Sequence, residues 1–232
     1  MGKTDANELL SRNPLFVGLP QAALDEVLLA SKLRMVPART VIAHQGDMPN
    51  GLMVLGKGII KVSQMRSGGA PVTIHVLGPG DLVGVVAAFG RVPFPATATT
   101  VTDCVVLSWA ATLTYDLMGR YPVIAMNALG YVSRCVEELV QRLGDMATGR
   151  VEQRLARALL RLADQVGLVA PEGVEIGYPL SRQDLAEIVG TDLYVVSRVL
   201  HAWAERGLIV AGRLRVVLCD RQRMEQVATE GR

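Results

Sequence analysis

No apolar run in the chain approaches the ~18 residues that would span a bilayer. The longest, Leu82 to Phe89, is interrupted by Gly84, so no membrane partner is expected. The opening residues, 1–12, are polar and carry no basic start followed by an apolar stretch. No secretory signal is read there, and a cytoplasmic location is expected. Cysteine is scarce: Cys104, Cys135 and Cys219 are odd in number and far apart, which suits buried thiols in a reducing compartment better than a disulfide framework. The chain has no G-x-S-x-G, no H-E-x-x-H and no Walker A pattern, and its cysteines and three histidines are not grouped as metal ligands. An enzyme is therefore not expected. The net charge of +2 is too small to mark a nucleic-acid binder by itself, so any DNA-binding surface must be a local patch.

What is present suffices for two cores: 232 residues, half of them hydrophobic. Residues 14–30 carry apolar positions at helical spacing after a Pro and a Gly turn. From Leu33 to Leu107 the texture changes to short apolar runs broken by Gly-Asp, Gly-Lys-Gly, Ser-Gly-Gly and Pro-Gly-Asp, the pattern of an antiparallel barrel or jelly roll. From Tyr121 to Ala147 only Gly130 and Gly144 interrupt a helix on which Leu129, Val132, Val136, Leu139, Leu143 and Met146 follow a three-four spacing. That is the seam of a coiled coil flanked by charges, and it predicts a homodimer; one helix packed on its own domain is the alternative. The predicted organisation is α+β: a β-roll sensor with an N-terminal helix over 1–120, a dimerisation helix over 121–148, and a winged helix-turn-helix over 149–232.

The last segment carries the most specific pattern. After residue 148 there are 12 arginines and no lysine, against 11 acids, and arginine favours fixed bidentate geometry over diffuse charge. Residues 151–166 read as an amphipathic helix followed by a loop containing Gly and Pro. Ser181 with Asp184 three residues on then has the form of a capping box. It opens a helix with Leu185, Ile188 and Val189 inward and Gly190 as its stop. A second helix follows at once, with Val195, Val196, Val199, Leu200 and Trp203 as its apolar face. Two short helices around a Gly turn form a helix-turn-helix, and the residues after Gly207 read as a two-stranded wing.

This stretch, LSRQDLAEIVGTDLYVVSRVLHAWAERGLI, resembles the DNA-binding domain of the Crp/Fnr superfamily. The preceding Pro79-Gly80-Asp81 turn and Phe94-Pro95-Ala96-Thr97-Ala98 segment are similar to that family's cyclic-nucleotide-binding-like β-roll. The resemblance implies a dimeric regulator binding double-stranded DNA at a pseudo-palindromic site, with RNA polymerase as a further partner. By the same resemblance Arg198 corresponds to the arginine that donates to guanine O6 and N7; the alternative is a surface arginine paired with Glu205. Ser197 would touch a base or phosphate, while Ser181, Arg182 and Gln183 would hold phosphates where the first helix crosses the backbone. Arg213 and Arg215 of the wing would add phosphate contacts or remain solvated. Tyr194 stands where the family usually has Glu, and Asp192 opens the recognition helix, so the half-site is not the usual one.

The effector is unknown from the sequence, and three family options differ in fit. Gly84 is followed by Val85 where nucleotide binders place Glu, and Arg91-Val-Pro-Phe-Pro precedes Ala96 without the usual arginine, so cyclic AMP is disfavoured. An iron-sulfur cluster is excluded because no cysteine precedes Cys104. Haem remains open through His75, which alternation from Leu77 points into the barrel; a satisfied core histidine is the alternative. His44 is expected at the surface. The remaining option is an apolar small molecule at the meeting of β-roll and long helix, lined by His75, Leu82, Val85, Val86, Phe89, Phe94, Leu139 and Val140. A small-molecule sensor without DNA-binding activity is the rival to the regulator.

Overall fold

The computed structural model describes residues 3–65, 71–148 and 150–229. Two helices, α1 (Lys3–Arg12) and α2 (Gln21–Leu29), precede strands β1 (Lys32–Val36), β2 (Val41–Ala43), β3 (Gly51–Lys57), β4 (Ile60–Met65), β5 (Pro71–Leu77) and β6 (Leu82–Val83). Helix α3 (Val85–Gly90), strands β7 (Thr97–Thr100) and β8 (Cys104–Ala110), helix α4 (Ala111–Arg120) and the long helix α5 (Pro122–Thr148) follow. The chain continues as α6 (Val151–Val166), β9 (Gly167–Ala170), β10 (Gly173–Ile176), α7 (Arg182–Val189), α8 (Leu193–Glu205), β11 (Ile209–Ala211), β12 (Val216–Leu218) and α9 (Arg221–Thr229). Two compact units result, residues 1–70 with 77–138 and residues 71–76 with 139–232. The division falls within α5 and assigns most of β5 to the second unit.

In the first unit one antiparallel sheet has the order β1-β8-β3-β6, and a second sets β2, β7 and β4 side by side. Two apolar clusters fill it. One gathers Leu55, Ile60, Leu77, Val83, Phe94 and Val106 between the strands. The other joins α1, α2 and the segment after α1 to Leu52, Leu107, Trp109 and Ile124. Trp109 fixes the second cluster: its indole N–H donates to the Val27 carbonyl at 2.7 Å, and its ring meets Phe16 at 5.6 Å between centroids. A buried indole is tolerated because its one polar atom has a partner. The first turns of α5 are anchored here by Ile124 and Ala128, both buried, and by Asn127, whose amide donates to the Leu15 and Val17 carbonyls.

Several elements differ from the sequence expectation. The helix expected over 14–30 begins only at Gln21, because residues 14–18 form turns ahead of it, and the polar start folds into α1 through buried Ala6 and Leu10. The run Leu82 to Phe89 is a short strand and then helix α3, split at Gly84 by a left-handed backbone (φ 69°). The loop expected after α6 is instead the hairpin β9–β10, so the wing is part of a four-stranded sheet of order β11-β12-β10-β9. Gly173 permits it: φ is 147°, and a Cβ there would lie 2.1 Å from the Leu218 carbonyl oxygen, which no larger residue could accept.

Candidate nucleic-acid interface

The helix-turn-helix in the second unit is built as its caps dictate. Ser181 Oγ accepts from the Asp184 N–H at 3.0 Å, and Asp184 Oδ2 accepts from the Ser181 N–H at 3.1 Å, a closed capping box. Gly190 ends α7 in the left-handed region (φ 68°), and Asp192 opens α8 by accepting from the Tyr194 and Val195 N–H groups at 2.8 and 2.9 Å. One face of α8 is sealed by Val196, Val199, Leu200 and Trp203, all buried. Val195 and Ile188 are only half-buried, the first at the margin of that face and the second at the margin of the α7 face.

The other face of α8 is open. Asp192, Leu193, Tyr194, Arg198, His201 and Glu205 are exposed along it, and Ser197 is half-buried. Tyr194 keeps 83 % of its surface in solvent. Arg198 does not pair with Glu205: that carboxylate lies 3.5 Å from His201 Nε2 instead. Among the described residues the Arg198 guanidinium makes no ion pair or hydrogen bond, so its five donors are available in solvent. His201, one turn beyond Arg198 on the same exposed stripe, is missed by the sequence reading; the i, i+3 spacing from Arg198 is the signal for it.

The other expected contact residues are less free. The Ser181 hydroxyl is committed to Asp184, donating to Oδ2 at 2.5 Å. Gln183 is exposed and its amide donates to Glu187 Oε1 at 3.1 Å, while Arg182 is half-buried with its Nε unpartnered. On the wing Arg213 is exposed. Arg215 is held by Glu175 at 2.8 Å and Glu172 at 3.5 Å, and the Glu175 carboxylate raises its pKa further. Phosphate would have to displace those carboxylates from Arg215.

The expected seam on α5 is exposed rather than packed on its own chain: Leu129 is 62 %, Val136 52 %, Leu139 57 % and Leu143 67 % accessible. Val132 differs, being partly buried against the first unit's core, and the Met146 side chain lies outside the described residues. Met126 and Val140 extend the exposed stripe.

The expected effector residues do not form one lining. Leu82 and Val85 are buried in the cluster against which Phe89, Tyr131 and Val132 pack, Phe94 belongs to the other cluster, and Val86 is exposed. Leu139 and Val140 belong to the second unit and are exposed. His75 is half-buried, groups with the second unit and borders a gap of about 20 Å³ beside Ala158, Arg161, Leu162, Gln165 and Ile188. Ile74 is exposed between buried Thr73 and half-buried His75, as alternation from Leu77 requires, and Val76 alone departs from it by being buried as well. His44 is exposed as expected. Where β6 meets α5, the Leu82 N–H donates to the Tyr131 hydroxyl at 3.4 Å, and burial pushes the neighbouring Asp81 carboxyl up to about 6 despite the Gly78 N–H it accepts.

Two family models match the chain: a cyclic nucleotide-binding domain over residues 33–121 and a Crp-like helix-turn-helix domain over residues 153–227. The chain is 29% identical to the cyclic AMP receptor protein of Thermus thermophilus, over 93% of this chain and 97% of that one. A CRP-like cAMP-activated global transcriptional regulator of Mycobacterium tuberculosis is 24% identical over 96% and 99%. The chain belongs to the Crp/Fnr family. The fold agrees: a transcriptional regulator of the CRP family from Thermus thermophilus superposes with a TM-score of 0.69 at 24% identity, covering 85% of this chain and 97% of that one. As a member of this family the chain is a DNA-binding transcription regulator, and α7 and α8 are its helix-turn-helix. No helix among the described residues is long and apolar enough to cross a membrane.

Proposed function

We propose that the chain acts as a homodimer that binds a two-fold-symmetric DNA site, with Arg198 of each copy reading a guanine in the major groove. The observation that carries this reading is the unpaired, exposed Arg198 on a helix whose opposite face is sealed by Trp203 and three aliphatic residues. A guanidinium free of partners can give both donors to guanine O6 and N7 at no cost in broken ion pairs. Ser197, Arg182 and Gln183 flank it as backbone-positioning contacts, Arg213 extends the footprint on the wing, and Asp192, at the open end of α8, serves the helix as its cap. Ser181 acts indirectly by capping α7, and Arg215 contributes only after release from Glu175. The dimer forms through Leu129, Val136, Leu139 and Leu143, with Val132 at the margin. RNA polymerase is the partner through which DNA binding acts on transcription.

Control is proposed to run through the first half of α5, where Leu82, Val85 and Phe89 share a core with Tyr131 and Val132. Relatives are named as cyclic AMP receptors, but the residues here do not fit a cyclic phosphate. Val85 follows Gly84, and a Cβ at Gly84 would lie 2.2 Å from the Phe94 ring, so an aromatic ring is pressed against the N-terminus of α3. Arg91, the cation nearest that segment in sequence, is stacked over Tyr115 at 4.3 Å. Haem does not fit either, since the gap beside His75 holds about one water. The effector class that suits these apolar residues is itself apolar, acting by shifting α5 between two packings.

The test is selection from a random duplex pool with the full-length protein, in the presence and absence of cell extract. The expected product is a pair of inverted half-sites, each with a guanine essential to binding, spaced about 10 base pairs centre to centre. Enrichment of no sequence under either condition would refute the reading.

A further inference from the structure

We infer that Leu193 and Tyr194 read thymine methyl groups, so that the half-site pairs the guanine under Arg198 with thymine rather than with a base read by hydrogen bonds. The inference rests on the proposed DNA-binding mode and adds its second specificity determinant. In a helix-turn-helix the first turns of the recognition helix meet the base edges. In α8 those turns carry Leu193, 38 % exposed, and Tyr194, 83 % exposed. Tyr194 thus leaves an aromatic ring in water at the tip of the helix, with an edge of the Leu193 side chain beside it.

The polar group that could read a base there is already engaged. Asp192 Oδ1 accepts from two backbone N–H groups, so the carboxylate faces the helix terminus, and reaching for a cytosine amino group would uncap α8. The edge left to recognise base pairs at this end is hydrocarbon and aromatic ring. In the major groove the one apolar feature of a base pair is the C5 methyl of thymine. Tyr194 precedes Arg198 by four residues, about 6 Å along the helix axis at 1.5 Å per residue. With base pairs ~3.4 Å apart, the methyl groups reached by Leu193 and Tyr194 lie within about two base pairs of the guanine.

The experiment starts from the duplex selected with the full-length protein and replaces each thymine within two base pairs of the essential guanine by deoxyuridine, which keeps pairing and removes only the methyl. Binding is read by fluorescence anisotropy for the wild type, Tyr194→Ala, Tyr194→Phe and Leu193→Ala. Losing one buried methyl is expected to weaken binding about fourfold. The deoxyuridine penalty should vanish in Tyr194→Ala or Leu193→Ala and persist in Tyr194→Phe. A selected site with no thymine in that window, or one indifferent to deoxyuridine, overturns the inference while leaving Arg198 and the DNA-binding mode intact. Equal loss in Tyr194→Phe and Tyr194→Ala on wild-type DNA also overturns it, by assigning the contact to the hydroxyl. If no site is selected at all, the DNA-binding mode falls and this inference with it.

Discussion

Replacing Leu143 by Ala should break the dimer without destabilising the chain that carries it. In the single chain Leu143 is 67 % accessible, so it packs on little of its own fold. Burying a leucine side chain fully contributes about 1.5–3 kcal/mol. Two thirds of that, about 1–2 kcal/mol, is what a partner helix covering Leu143 would gain from each copy, and two-fold symmetry counts it twice. The expected loss is about 2–4 kcal/mol per dimer, a rise in the dimer dissociation constant of roughly 30- to 700-fold at 1.4 kcal/mol per decade. Sedimentation equilibrium across a concentration series measures the constant, and thermal melting of the monomer at low concentration supplies the control. An unchanged constant would remove Leu143 from the interface. A lower monomer melting temperature with an unchanged constant would restore the other sequence reading, a helix packed on its own domain.

Asp81 gives a pH-dependent prediction. Its folded pKa of about 6 lies above the ordinary 3.8 because burial disfavours the carboxylate and Glu138 adds a second negative charge. The folded state therefore binds the proton more tightly than the unfolded chain, so this group's stabilising contribution is complete below about pH 4 and is lost as pH rises through 6. Asp81→Asn should flatten that slope and raise stability at pH 8 by about 1–3 kcal/mol, as melts from pH 4 to 8 would register; a slope unchanged by the substitution contradicts the assignment. Ser181→Ala should cost the second unit about 1 kcal/mol through loss of the cap, with DNA affinity falling only as far as folding does. A loss of affinity in a fully folded variant would instead give Ser181 a direct phosphate contact.

The helix-turn-helix is legible in the sequence because local chemistry specifies it: Ser181 with Asp184, Gly190, and the apolar period of α8 each act within one turn of chain. The hairpin β9–β10 is not, because its strands are four residues each and its key residue, Gly173, is required by a carbonyl of Leu218 far along the chain. Helix α9 escapes for a similar reason: its mostly polar sequence is held by Met224 and Ala228 buried against the unit, by Arg157 donating to the Ala228 carbonyl, and by Arg221 bridging to Asp164. At the candidate site, exposure of Arg198 follows from the buried period of its helix, but the capture of Arg215 by Glu175 depends on a strand pairing that spacing does not reveal. That His75 groups with the second unit depends on residues far along the chain, Ala158 to Ile188, which alternation from Leu77 does not reveal.

The central claim, that Arg198 reads a base, is tested most directly by measuring Arg198→Ala on the selected duplex and on random duplex of the same length at two salt concentrations. A bidentate arginine–guanine pair contributes about 1–3 kcal/mol of discrimination per half-site. At least about a thirtyfold loss is expected on the selected two-fold site, with binding to random DNA and its salt dependence nearly unchanged. Equal losses on both duplexes would make Arg198 a phosphate contact and contradict the claim.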